Sequence, residues 1–227
     1  MKLFFSALAA AALAMAGAAP SLSATTWTEG VNYFVIQSAQ RPAIAPGKVE
    51  VTEVFSYACP ACNVFVPTMH KLKQSLPANV IVAYVPAAFN SAEDWPMFQL
   101  AYCTAQVLGV EDKVHDAMYD AVWKGGDLSV TDGSGNLKNH MPTIEDAAKF
   151  YSQKTGVAAD KFLATSRSMT VDMCVRKDQE LIRTYKVDRT PTIVVNGKYS
   201  LQVQSAGGAD QLIELVNYLV AKESKPK

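Results

Sequence analysis

An α/β fold whose sheet is split by an all-helical insertion is predicted, and three observations carry the prediction. Residues 51–57, Val-Thr-Glu-Val-Phe-Ser-Tyr, form a β-branched and aromatic run with a single charge, Glu53, which reads as a buried strand carrying one buried acid. A second apolar, β-branched run covers 80–85, and a third begins at Pro191 and turns at Asn196-Gly197, a strong hairpin signal. Between the second and third runs the hydrophobic period is helical for about 90 residues.

Taken in order, Lys2 followed by an apolar run from Leu3 to Ala19 and small residues up to Ala24 has the pattern of a cleaved signal peptide over 1–24, with a retained anchor as the alternative. Residues 25–47 hold one short edge strand around Tyr33 to Ile36 and a proline-rich connector. After the strand at 51–57, Phe65, Met69, Leu72 and Leu76 mark one stripe of an amphipathic helix to about Ser75, which Pro67 should kink. Strand, helix and the next strand make a right-handed crossover with a parallel pair. Met97, Leu100, Ala101, Ala105 and Leu108 outline one inserted helix, and Val114, Met118, Ala121 and Val122 a second. A polar, glycine-rich loop at 124–141 follows. Thr143 with Asp146 starts a third helix to about Tyr151, and Asp160 opens a further one, extending with breaks to Tyr185, with Phe162, Met169, Met173 and Cys174 inward. Gly207-Gly208 leads into a last helix with Leu212, Leu215, Val216 and Leu219 on its core face.

Of 227 residues, Lys plus Arg and Asp plus Glu each number 21, so charge gives no support to nucleic-acid binding. No later segment is long and apolar enough to span a membrane. Export would put Cys59, Cys62, Cys103 and Cys174 where disulfides persist. Four cysteines allow three pairings; the closeness of Cys59 and Cys62 leaves Cys103 with Cys174, or else two free buried thiols. Such a bridge closes a loop of about 70 residues and is worth at most about 4 kcal/mol on chain entropy.

Cys59 falls at the N-terminus of its helix, where unpaired N–H groups and the positive dipole end favour a thiolate. Two intervening residues bring Cys62 back across the first turn, close enough for a disulfide. Pro60 fixes φ and lacks an N–H that would be orphaned there. Half of a zinc site is the competing reading, but it needs a second ligand pair that is lacking, so no metal is expected.

Cys59-Pro60-Ala61-Cys62 after a strand, a proline five residues beyond, and Arg189-Thr190-Pro191 opening the penultimate strand resemble the thioredoxin superfamily. The helical insertion and Val195-Asn196-Gly197-Lys198-Tyr199 narrow the resemblance to the bacterial DsbA family of periplasmic disulfide oxidases. It implies a thioredoxin fold over 25–90 and 186–222, interrupted by a helical insertion over 91–185. It also implies a cis Thr190-Pro191 peptide opposite the thiols, where the backbone of Thr190 pairs with an extended substrate. In the implied chemistry the exposed sulfur of Cys59 is attacked by a thiolate of a reduced exported protein, and Cys62 is the resolving thiol. The implied enzyme is a periplasmic monomer without a bound cofactor, reoxidised by a DsbB-like quinone reductase of the inner membrane. A thioredoxin-like reductase or isomerase, or a chaperone with structural thiols, are the alternatives.

Two departures bear on redox tuning. Ala61 stands where many members of this family carry histidine, so Cys59 should be stabilised by fewer groups and the enzyme be less oxidising. No lysine lies in 81–84, where relatives often place one, so buried Glu53 should have a raised pKa. Glu53 is then a candidate proton acceptor for Cys62, or a structural relic. His70, His115 and His140 have no metal spacing and read as surface residues; Met118, Met169 and Met173 read as core.

Overall fold

In a computed structural model that describes residues 26–37, 42 and 44–224, the elements in chain order are β1 (Phe34–Val35), β2 (Val49–Phe55), α1 (Pro60–Ser75), β3 (Val80–Pro86), α2 (Trp95–Leu108), α3 (Glu111–Trp123), α4 (Ile144–Thr155), α5 (Ala159–Ser166), α6 (Met169–Tyr185), β4 (Thr192–Val195), β5 (Tyr199–Leu201), α7 (Val203–Ala206) and α8 (Ala209–Glu223). The proposed signal segment, 1–24, lies outside the described residues. Among them, no helix is long and apolar enough to cross a membrane.

The strands form one sheet in the order β1-β5-β4-β2-β3. β2 pairs parallel with β3 and antiparallel with β4, so the strand feeding the thiols is flanked on both sides. That position explains its continuous apolar character: Val51, Val54 and Phe55 are fully buried. The β4–β5 hairpin turns over residues 196–198, with Asn196 (φ 55) and Gly197 (φ 64) both in the left-handed region and Lys198 N donating to Val195 O at 3.0 Å. Glu223 at the end of α8 ties this hairpin down, accepting from Asn196 Nδ2 at 2.9 Å, Lys198 Nζ at 2.7 Å and Tyr199 Oη at 3.1 Å.

Two apolar cores flank the sheet. Phe65, Met69 and Leu72 of α1 meet Leu212, Leu215 and Leu219 of α8 and the β2 residues Val49 and Val51 in one of them. Truncating Leu72, which is fully buried, would cost about 2–5 kcal/mol. The other joins Val54, Phe55 and Tyr57 to the inserted helices through Phe98, Tyr102, Met118 and Tyr151. Helices α2 to α6 are consecutive between β3 and β4, and Cys103 of α2 is bridged to Cys174 of α6 (S–S 2.11 Å, Cα–Cα 5.9 Å).

Several expectations are corrected. β2 ends at Phe55, because Tyr57 leaves the ladder as the chain turns into the helix; β3 extends one residue past 85, and α4 continues to Thr155 behind its Thr143–Asp146 capping box. Met169 and Met173 are 79% and 63% exposed, not core: the rotation of α6 is set by Val171, Asp178, Ile182 and Tyr185, which take the buried stripe. His115 is 8% exposed, not a surface residue, because it faces the aromatic core from α3.

Candidate active site

Cys59 is the N-cap of α1 and Pro60 its first residue, so the four-residue motif occupies the helix's opening turn. The backbone there is tied early: Cys59 N donates to Ser56 O at 3.1 Å, and Asn63 N to Cys59 O at 3.1 Å. Both cysteines are thiols. Cys59 retains 5% of its surface and Cys62 none, so access is asymmetric, although Cys59 is more covered than the resemblance implies.

A hydrogen bond from the Cys62 thiol is the largest influence on Cys59, holding it down at about 6; burial opposes this, and Thr190 and the N–H groups of Cys62 and Ala61 add to it. Burial pushes Cys62 far above the ordinary thiol range, and the neighbouring Cys59 thiolate and Glu53 push it further. One sulfur is therefore a thiolate near neutral pH while its mate keeps its proton. Ala61 contributes only its backbone to this arrangement.

The Thr190–Pro191 peptide is cis and faces the thiols from the start of β4. Cys59 Sγ lies 3.6 Å from Thr190 O. Beside this junction a groove of about 530 Å³ runs between α1 and the Thr190 loop, lined by Ala61, Val64, Arg189, Thr190, Pro191 and Gln204 among others. Val64, one of the lining residues, is 77% exposed.

Glu53 lies on β2 behind the pair, across from Tyr84 of β3 and Ile193 of β4, and is 3% exposed. Burial lifts its carboxyl to about 8; the charge of Lys73 pulls against this, and Cys59 and Asp116 reinforce it. The cation absent from β3 is thus partly replaced from α1, where Lys73 Nζ sits 4.8 Å from the centre of the Tyr84 ring. Lys73, Tyr84, His115 and Tyr119 surround the acid without any sequence motif to announce them. The one available signal is the i, i+4 spacing of His115 and Tyr119 on α3. His140, in the loop after α3, is exposed and outside this group.

The second cysteine pair is remote from the first. Burial raises Asp178 to about 7, and its carboxyl lies 3.3 Å from Cys103 Sγ. Because the two sulfurs there are bonded to each other, they offer no thiolates to a metal.

A thioredoxin-type sheet ending in a helix-capping cysteine, its buried mate and a cis-proline loop defines a dithiol–disulfide oxidoreductase. Comparison with known proteins agrees. The family model described as Thioredoxin matches residues 45–214. The thiol:disulfide interchange protein DsbA of Pseudomonas aeruginosa is 35% identical over 88% of this chain and 87% of its own length. The DsbA of Pseudomonas syringae pv. tomato is 34% identical over 86% and 83%. Among solved structures, Pseudomonas aeruginosa DsbA superposes with a TM-score of 0.72 (34% identity, 87% of this chain and 94% of that one). The oxidoreductase DsbA of Xylella fastidiosa gives 0.71 (31% identity, 85% and 95%). The chain belongs to the DsbA family of thiol:disulfide interchange proteins and catalyses dithiol–disulfide exchange.

Proposed function

We propose that this protein works in the periplasm as an oxidase, donating a Cys59–Cys62 disulfide to reduced exported proteins after removal of a signal peptide over 1–24. The observation that carries the direction of transfer is the opposed acidity of the two sulfurs: a thiolate held at about 6 makes Cys59 a good leaving group and favours the dithiol form. A substrate thiolate attacks Cys59 Sγ and the Cys59–Cys62 bond breaks. A second substrate thiolate then displaces Cys59 from the mixed disulfide. Two electrons pass from substrate to enzyme; Cys59 is left as a thiolate and one proton ends on Cys62.

Pro60 and Ala61 tune Cys59 through the shape and N–H groups of the first turn. Thr190 and Pro191 receive an extended substrate, and the adjoining groove with Val64 exposed supports an apolar peptide there. Glu53 exchanges a proton with Cys62. The working parts are a thioredoxin-like unit over 25–90 and 186–222 and a helical insertion over 91–185, in which the Cys103–Cys174 bridge is structural. A DsbB-like quinone reductase of the inner membrane returns the pair to the disulfide, and the enzyme acts as a monomer.

The deciding measurement is the equilibrium of the pair with glutathione, together with oxidation of a reduced, unfolded substrate and a Cys59→Ser control. Net substrate oxidation that is lost in the control is expected. A pair that stays reduced against oxidised glutathione and readily reduces insulin would reject the oxidase in favour of a reductase.

A further inference from the structure

A small cavity separates Glu53 from solvent. Glu53 of β2 and Tyr84 of β3 form one wall, Val66, Met69 and His70 of α1 another, and His115, Asp116 and Tyr119 of α3 a third. Its volume is about 10 Å³, room for a single water, with Val66 and Met69 as apolar lining beside the polar groups that could hold it. Tyr119 is 2% exposed, and its hydroxyl is buried with no hydrogen-bond partner among the described residues. An unpaired buried phenol is unfavourable, so its position needs a reason. The carboxyl of Glu53 and the sulfur of Cys62 are the groups whose charges this phenol feels most. At the far wall His70 Nε2 and Asp116 Oδ2 pair at 2.9 Å with side chains 47% and 60% exposed, so the cavity leads from a buried acid to the surface.

We propose that Tyr119 is a positioning residue for the proton of Cys62. Its hydroxyl holds one water against Glu53, and that water carries protons between the carboxyl and the surface at the His70–Asp116 pair. The inference rests on Glu53 being the proton partner of Cys62 and names the route by which Glu53 itself is served.

When a substrate thiolate bonds to Cys59 Sγ, the Cys59–Cys62 bond breaks and its electron pair stays on Cys62, which takes a proton from Glu53. The resulting carboxylate feels the charges of Lys73 of α1, the Cys59 sulfur and Asp116, in a space otherwise closed by Val66, Met69, Tyr84, His115 and Tyr119. It regains its proton from solvent through the held water. On reoxidation the same path runs outward: Cys62 gives its proton to Glu53 carboxylate, its sulfur attacks Cys59 in the mixed disulfide, and the partner leaves as a thiolate.

Tyr119→Phe keeps the ring, whose edge contacts with Tyr57 and His115 lie at 5.1 and 5.5 Å, and removes only the hydroxyl. Pre-steady-state oxidation of a single-thiol peptide by the oxidised variant, in H₂O and D₂O between pH 5.5 and 8.5, should be about fivefold slower, the effect of one hydrogen bond. Its solvent isotope effect should rise while the glutathione equilibrium moves less than about twofold. A His70→Gln/Asp116→Asn variant should raise the isotope effect similarly. Rates and isotope effects equal to wild type in Tyr119→Phe overturn the proposal. Glu53→Gln separates the two readings: if it slows the step while Tyr119→Phe does not, only the Tyr119 route falls, and if neither slows it, the role of Glu53 falls as well.

Discussion

The phenol of Tyr57 and Nδ1 of His115 meet at 2.9 Å in the aromatic core between the sheet and α3. Tyr57 lies two residues before Cys59, and Trp123 Nε1 donates to its carbonyl at 2.8 Å. The inserted helices therefore grip the segment that leads into Cys59 by both its side chain and its backbone. Burial lowers His115 to about 3, so the ring is neutral at physiological pH.

His115→Leu should cost about 1–3 kcal/mol at neutral pH by leaving the buried Tyr57 hydroxyl unpaired, read as a lower urea midpoint. The folded His115 binds its proton less readily than an ordinary histidine does. Its contribution to stability is thus complete above about 6.5 and is lost as pH falls toward 3. The variant should lose less stability than wild type across that acid window.

Glu53 titrates in the opposite sense. Its folded value of about 8 lies above the ordinary 4.5, so the stability linked to its proton is complete below about 4.5 and is lost as pH rises toward 8. Between pH 5 and 8.5, unfolding of the dithiol form should show wild type losing on the order of 4 kcal/mol relative to Glu53→Gln. Parallel curves for the two proteins would assign the carboxyl an ordinary acidity.

Absorbance of the thiolate should give a midpoint near 6 for Cys59. Ala61→His, which adds a cation at the helix's first turn, should lower it by about half a unit and shift the glutathione equilibrium toward the dithiol. Because the folded value is below the ordinary value of about 9, the stabilisation of the dithiol form is complete above 9 and fades as pH falls through 6.

Replacing both Cys103 and Cys174 by serine opens a loop with a sequence separation of 71. A loss of about 2–5 kcal/mol is expected, with the rate of thiol exchange at Cys59 retained. Thermal unfolding followed alongside peptide oxidation checks both halves of this expectation.

What was legible in the sequence follows from how locally each feature is encoded. The helix behind Cys59, the Asn196-Gly197 turn and the Thr143 cap depend on residues a few positions apart, and each could be read directly. The setting of Glu53 could not be, because its neighbours Tyr84, Lys73 and Tyr119 come from three elements and have no common spacing. Met169 and Met173 misled because a helical interval marks a face without saying which face is buried; the phase of α6 comes from Asp178, Ile182 and Tyr185. His115 misled for the converse reason: only Tyr119, one turn on, hints at its setting in the sequence, while Phe55, Tyr57 and Tyr84, which also pack on it, come from outside its helix.

The contact between Cys59 and Thr190 spans 131 positions. A polypeptide emerging N-terminus first therefore carries both thiols well before it carries the loop that completes their surroundings. The wall that Thr190 and Pro191 raise against the thiols is thus put in place only when about the last sixth of the chain has docked.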